Sequence, residues 1–312
     1  MGKGRDDECA IEVDGLTKRY GDVVAVDRIS FDVRQGEMYG FLGPNGAGKT
    51  TTVRMLTGVL RPDSGRATVC GYRAGSLEAK QMTGVVPEMC NAYIDLSGWE
   101  NLMLMAKLYG VPKRIAESRS EELLREMGLY ERRGELARGY SKGMKQRLVL
   151  SMALVSDPEV IFLDEPTSGL DVQSARLVRQ MLRRLKSEGK TIFLTTHDMA
   201  EANELCDRVA VINKGRIIAV DSPEKLRMAT SSRKSVEVVF SGEVDEDTLA
   251  SLPDVIEVSR TGGRYRIYTR KPGDVAVAVV ELAKSRGVGI VSLNTLAPTL
   301  EEAFLTLIQE EA

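Results

Sequence analysis

The sequence holds one histidine, four cysteines and almost no charge imbalance, and each shortage narrows what the chain can be. The cysteines, Cys9, Cys70, Cys90 and Cys206, form no CxxC pair and no metal-ligand spacing. Scattered thiols in a chain of this size point to reduced, mostly buried residues of a cytosolic protein. A formal net charge of −2 argues against a broad nucleic-acid surface. Residues 233–312 are mildly acidic, with nine Lys and Arg against thirteen Asp and Glu. The longest apolar stretches, such as LVLSMALV, fall well short of the roughly 18 residues that span a bilayer. The opening MGKGRDDEC lacks the apolar core of a signal peptide, and Asp6 stands where a myristoylation signal wants Ser or Thr. Work at a membrane is therefore expected to go through a partner.

What remains is ordinary globular material. A hydrophobic share of 43% and a charged share of 28% over 312 residues allow one large domain and a small one. Residues 9–42 alternate apolar and polar side chains and end in EMYGFLG, which predicts two or three strands, the last one buried. A helix is predicted from Thr50 to Thr57, stopped by Gly58, with turn signals after it. Over 98–155 apolar positions recur at helical spacing with no convincing strand, so a helical insert is expected at about 90–155. Strand and helix then alternate (EVIFLDEP, QSARLVRQMLRRLKSEG, KTIFLTT, MAEANELC, RVAVINKG), which implies parallel pairing with crossover helices. Near residue 230 the pattern restarts as β-α-β-β-α-β plus a final helix, the order of a small ferredoxin-like α+β sandwich. The expected domains are 1–230 and 231–312.

Three groups carry chemistry. GPNGAGKT, residues 43–50, matches G-x-x-x-x-G-K-[ST] between a buried strand and a helix. Backbone amides of Gly43, Pro44, Asn45, Gly46, Ala47 and Gly48 and the helix start would cradle phosphate, Pro44 contributing shape rather than an N–H. Lys49 would reach the β- and γ-phosphates, Thr50 would ligate Mg²⁺, and Thr51 follows in the same turn. Asp164 and Glu165 end an apolar strand and so emerge at the carboxyl edge of the sheet. Asp164 suits a Mg²⁺ ligand acting through water, and Glu165 suits polarisation of an attacking water. Asp-Glu-Pro-Thr is also good helix-capping chemistry. His197 closes TIFLTT and could bond a γ-phosphate or hold the water; it could equally be an exposed capping residue.

Together these residues closely resemble the ATP-binding cassette (ABC) ATPases over about residues 9–225, which implies an α/β P-loop NTPase with a mixed sheet core and a helical subdomain. The most family-specific piece is YSKGMKQRL, residues 140–148, where that family has its signature helix start. There the resemblance implies that Ser141 and Gly143 serve the γ-phosphate of ATP held by the opposite subunit, while Ser141 also suits a plain helix cap. It further implies adenine stacking by Tyr20, a subunit-crossing Asp171 in SGLD, and a Mg²⁺-sensing position at Glu88.

Three positions depart from the usual pattern: Glu88 for glutamine, Lys142 for glycine and Met144 for glutamine. The last two, with APTLEEAFLTL near the end, resemble cassettes of drug-, sodium- and polysaccharide-export systems whose permease is a separate polypeptide. The expectation is an ATP- and Mg²⁺-dependent ATPase subunit, paired with a second copy at the cytoplasmic face of a membrane. The helical insert, from about Cys90 to Lys142, would meet the permease, with Trp99, Leu102, Met105 and Leu108 on its apolar face. A soluble ABC ATPase acting on ribosomes or DNA is the alternative. A GTP switch fits less well, because Asn213-Lys214-Gly215-Arg216 lacks the aspartate of a guanine-reading motif.

Overall fold

A computed structural model describes residues 9–89, 91–229, 234–296 and 298–310, which divide into two compact units, Met1–Ser222 and Pro223–Ala312. The division falls before the helix Pro223–Ala229. Cys90, one end of the expected permease-facing segment, lies outside the described residues.

In the first unit β1 (Cys9–Tyr20) and β2 (Val23–Arg34) form an antiparallel hairpin. β3 (Met38–Leu42) is buried at every residue, as a strand covered on both faces must be, and runs into the glycine-rich loop and α1 (Lys49–Leu56). Thr57 and Gly58, at φ +72°, end that helix. β4 (Ser64–Val69) and β5 (Tyr72–Arg73) join the hairpin in the order β2-β1-β4-β5. This separate antiparallel sheet was hidden in the sequence by turn residues around short strands. α2 (Leu77–Gln81) leads to β6 (Thr83–Val86).

The insert is helical, with α3 (Gly98–Leu108), α4 (Lys113–Glu126) and α5 (Lys142–Leu154). Ser97 and Glu100 form a reciprocal capping box that starts α3. Leu102 is fully buried while Leu108 is exposed, so the apolar face predicted for this helix divides between core and surface.

β7 (Val160–Asp164), α6 (Val172–Ser187), β8 (Thr191–Thr196), α7 (Met199–Leu205), β9 (Arg208–Asn213) and β10 (Arg216–Asp221) complete the unit. The central sheet runs β10-β9-β3-β8-β7-β6, parallel except for the β9–β10 hairpin. Lys214 and Gly215 make that hairpin's turn with φ of +45° and +80°, the left-handed values a two-residue hairpin turn needs. Phe31 of β2 stacks with Tyr39 and Phe193 of the central sheet at centroid distances of 5.6 and 5.8 Å and meets Phe41 in a tilted pair at 5.6 Å. These rings weld the two sheets, each pair worth about 0.5–1.5 kcal/mol beyond area burial.

The second unit comprises α8 (Pro223–Ala229), β11 (Lys234–Phe240), α9 (Glu246–Ala250), β12 (Val255–Thr261), β13 (Arg264–Thr269), α10 (Pro272–Arg286), β14 (Ile290–Leu296) and α11 (Leu300–Glu310). Its sheet is antiparallel in the order β12-β13-β11-β14. Val236, Val238, Tyr265, Ile267, Val275 and Val279 form a core of its own.

Candidate functional site

Four parallel strands deliver the site to one edge. β3 and β8 end in register at Leu42 and Thr196, and β8 holds Asp164 of β7 opposite Thr195. β6 pairs Val86 with Leu163 of β7, so Glu88, two residues on, lies at the same edge. Strand ends therefore bring together the phosphate loop, Asp164-Glu165, His197 and Glu88 at the edge where α/β sheets bind ligands. Asn45, Gly46, Gly48, Lys49, Thr50, Thr51, Glu88 and Glu165 line one cavity there.

The loop fits a phosphate cradle. Gly48 has φ +108°, and a Cβ on it would come 2.5 Å from the Ala25 carbonyl, so only glycine closes this turn. Lys49 is buried, and its ammonium donates to the carbonyls of Gly43 at 2.8 Å and Pro44 at 3.2 Å. The same Nζ lies 3.1 Å from Glu165 Oε1, both side chains being buried. The other carboxylate oxygen, Glu165 Oε2, is 2.7 Å from His197 Nδ1. An ionised Glu165 requires that Nδ1 carry the proton, which leaves Nε2 of the half-exposed ring for another partner.

Glu165 holds this place at a cost. Its φ of +52° lies in the left-handed region, where a non-glycine residue stores about 1–3 kcal/mol. Thr195 secures it: the Glu165 amide donates to both the carbonyl and the hydroxyl of Thr195 at 3.1 Å. The Thr195 hydroxyl in turn donates to Asp164 Oδ1 at 2.5 Å. Sequence reading passed over Thr195 as one more β-branched strand residue; a hydroxyl doublet closing a buried strand was the available signal.

Ser141, Gly143 and Asp171 form a separate constellation and do not line the cavity. Ser141 caps α5, its hydroxyl accepting from the Met144 amide at 3.2 Å. Asp171 caps α6, accepting from the amide and hydroxyl of Ser174 at 2.8 Å each. Gly143 joins the two caps, because a Cβ there would meet Ser174 Oγ at 2.3 Å and Asp171 Oδ2 at 2.9 Å. The departures have clear places: Met144 is buried with its sulfur 3.2 Å from an Arg132 nitrogen, and Lys142 Nζ lies over Gly169 of the SGLD loop. Tyr20 is half-exposed at the end of β1, and it too is absent from the cavity lining.

For a divalent cation, the donors at the cavity are the Thr50 hydroxyl and the Glu88 carboxylate, with Asp164 buried at the adjoining strand end. No group of three or more His, Cys, Asp or Glu side chains able to hold a metal occurs among the described residues. This small set of hard oxygens suits a magnesium ion bound mainly by phosphate and water rather than by a protein cage.

Comparison with known proteins agrees with this geometry. The ABC transporter family profile matches residues 26–168. The chain is 46% identical over 283 residues to the fluoroquinolones export ATP-binding protein of Mycobacterium tuberculosis, covering 86% of this chain and 92% of that one. It is 38% identical over 306 residues to the Nod factor export ATP-binding protein I of Ralstonia nicotianae, covering 96% and 94%. Among solved structures, the ATP binding subunit of an ABC transporter superposes with a TM-score of 0.66 at 31% identity, covering 70% of this chain and 92% of that one. A phosphate loop and paired carboxylates on one sheet edge, in a chain this similar to such proteins along most of its length, lead to one conclusion: the chain belongs to the ABC transporter family and is one of its ATP-binding cassettes, an ATPase.

Proposed function

We propose that this chain is the ATP-hydrolysing subunit of an export transporter whose permease is a separate polypeptide. In this reading two copies clasp two ATP molecules, each between the phosphate loop of one chain and the Ser141 helix start of the other. Ser141 and Gly143 do not line the cavity that holds Lys49 and Glu165, and this carries the reading, because one chain alone offers only half of the anion contacts.

ATP entering the loop draws the Lys49 ammonium from Glu165 towards the β- and γ-phosphates. The freed Glu165 carboxylate then accepts a proton from water as its oxygen attacks the γ-phosphorus and the bond to the bridging oxygen of ADP breaks. His197, held through Nδ1, turns Nε2 to the γ-phosphate or the water. Thr50, with Asp164 and Glu88, would hold Mg²⁺, which would supply charge neutralisation of the phosphates. Tyr20 stacks on the adenine, and Asp171 stands where a second chain would pack.

No helix among the described residues is long and apolar enough to cross a membrane, and action at the cytoplasmic face through the permease suits this. The surface around the insert supports docking, since Met89, Tyr93, Ile94 and Leu108 are exposed there. The names of the relatives, export proteins for fluoroquinolones and Nod factor, place export in this chain's range, with substrate contacts left to the permease. We read the second unit as a ferredoxin-like accessory domain, on its β-α-β-β-α-β order, with a structural or dimer-supporting role.

Mixed variants test the shared site. Lys49→Ala and Ser141→Arg chains should each be inactive alone. Mixing them should restore turnover, because a mixed dimer assembles one site from an intact loop and an intact signature. No recovery on mixing, with both variants folded, contradicts the reading.

A further inference from the structure

Glu201 lies in the first turn of α7 and is 1% exposed, an unusual place for a carboxyl. Its Oε1 accepts a hydrogen bond from the Thr167 hydroxyl at 2.6 Å, and the Thr196 hydroxyl, beside His197, also acts on the carboxyl. Burial pushes the carboxyl pKa up, opposed first by the Thr167 hydroxyl. For packing alone an apolar side chain of similar volume would cost less, since taking a carboxyl out of water is destabilising.

The bond has a particular span. Thr167 belongs to the turn that begins at Glu165, whose carbonyl accepts from the Ser168 amide at 3.2 Å. Glu201 belongs to the first turn of α7, whose cap Asp198 directly follows His197 and holds the Glu201 amide through Oδ1 at 3.1 Å. One turn starts at Glu165 and the other directly follows His197, and these two residues of the hydrolytic pair are themselves joined by a 2.7 Å contact whose histidine is half-exposed.

We propose that Glu201 is a positioning residue, which through Thr167 fixes the turn after Glu165 against the turn carrying His197 and so keeps the pair aligned for water activation. This rests on Glu165 and His197 being the hydrolytic pair. Glu201 is 1% exposed and does not line the phosphate-loop cavity, so its effect passes through Thr167. Its loss should misalign the pair without weakening nucleotide binding.

The test is steady-state ATP hydrolysis by the full chain and its Glu165→Gln, Thr167→Val, Glu201→Ala and Glu201→Gln variants, with folding checked by thermal melting. Thr167→Val, nearly isosteric, should lower kcat by about tenfold while KM for ATP stays within about twofold. Glu201→Ala should do the same. Glu201→Gln, whose amide oxygen can still accept from Thr167, should recover most of the rate lost in Glu201→Ala. If Glu201→Ala does not fold, Thr167→Val and Glu201→Gln still decide the matter. Wild-type kcat in Thr167→Val overturns the proposal, as does a Glu201→Gln rate lowered as far as that of Thr167→Val. Undiminished hydrolysis by Glu165→Gln would instead overturn the underlying pair, and the two failures are thereby distinguished.

Discussion

At the scale of single residues, Glu165 is central, held in a left-handed backbone between a buried ammonium and an imidazole. Removing a general base typically costs about 10²–10⁴ in rate. Glu165→Gln should therefore hydrolyse ATP at least about 100-fold more slowly while still binding it. Fluorescent-nucleotide titration beside a phosphate-release assay would check both halves, and loss of binding would count against the role. Glu88 lines the same cavity and carries a hard oxygen that an amide can replace. Glu88→Gln should stay active with altered Mg²⁺ dependence, and complete loss of hydrolysis would refute an interchangeable ligand. Phosphate loop, acidic pair and histidine were legible because each is local, a few adjacent residues at a strand end. Thr195 and Glu201 were not, because their roles come from contacts across 30 or more residues of chain.

At the scale of elements, the central strands were legible as apolar runs and the insert as helical periodicity. β5, with two residues, left too short a pattern to read, and β4 was masked by glycine and serine at its start. Nothing in the order of residues announced that β2 would place Phe31 against the rings of β3 and β8. Phe193 is the hub of that cluster, with Phe31, Tyr39, Phe41 and Phe162 at 5.8, 5.9, 5.4 and 5.7 Å. Phe193→Ala should cost about 3–5 kcal/mol, read as a lower midpoint in urea with an unchanged slope. Helix starts matter in a different way. Ser141→Ala removes a cap worth about 1 kcal/mol, so its stability should fall only modestly. A larger fall in ATP turnover than in stability would mark the Ser141 helix start as functional, whereas parallel small effects would leave it a cap.

At the scale of the whole molecule, every proposed site residue lies in the unit Met1–Ser222, while Pro223–Ala312 has its own sheet and core. A chain ending at Ser222 should fold and bind ATP with the affinity of the full protein, as isothermal titration would show. Failure of the folded fragment to bind would tie the second unit to the nucleotide. In the proposed dimer ATP joins two chains, since the Ser141 helix start does not line the cavity of its own chain. Light scattering on Glu165→Gln during size-exclusion chromatography tests it most directly. Without nucleotide the 34.3 kDa chain should elute as a monomer, and with Mg-ATP its mass should double. A monomer that binds ATP yet never pairs would contradict the shared site.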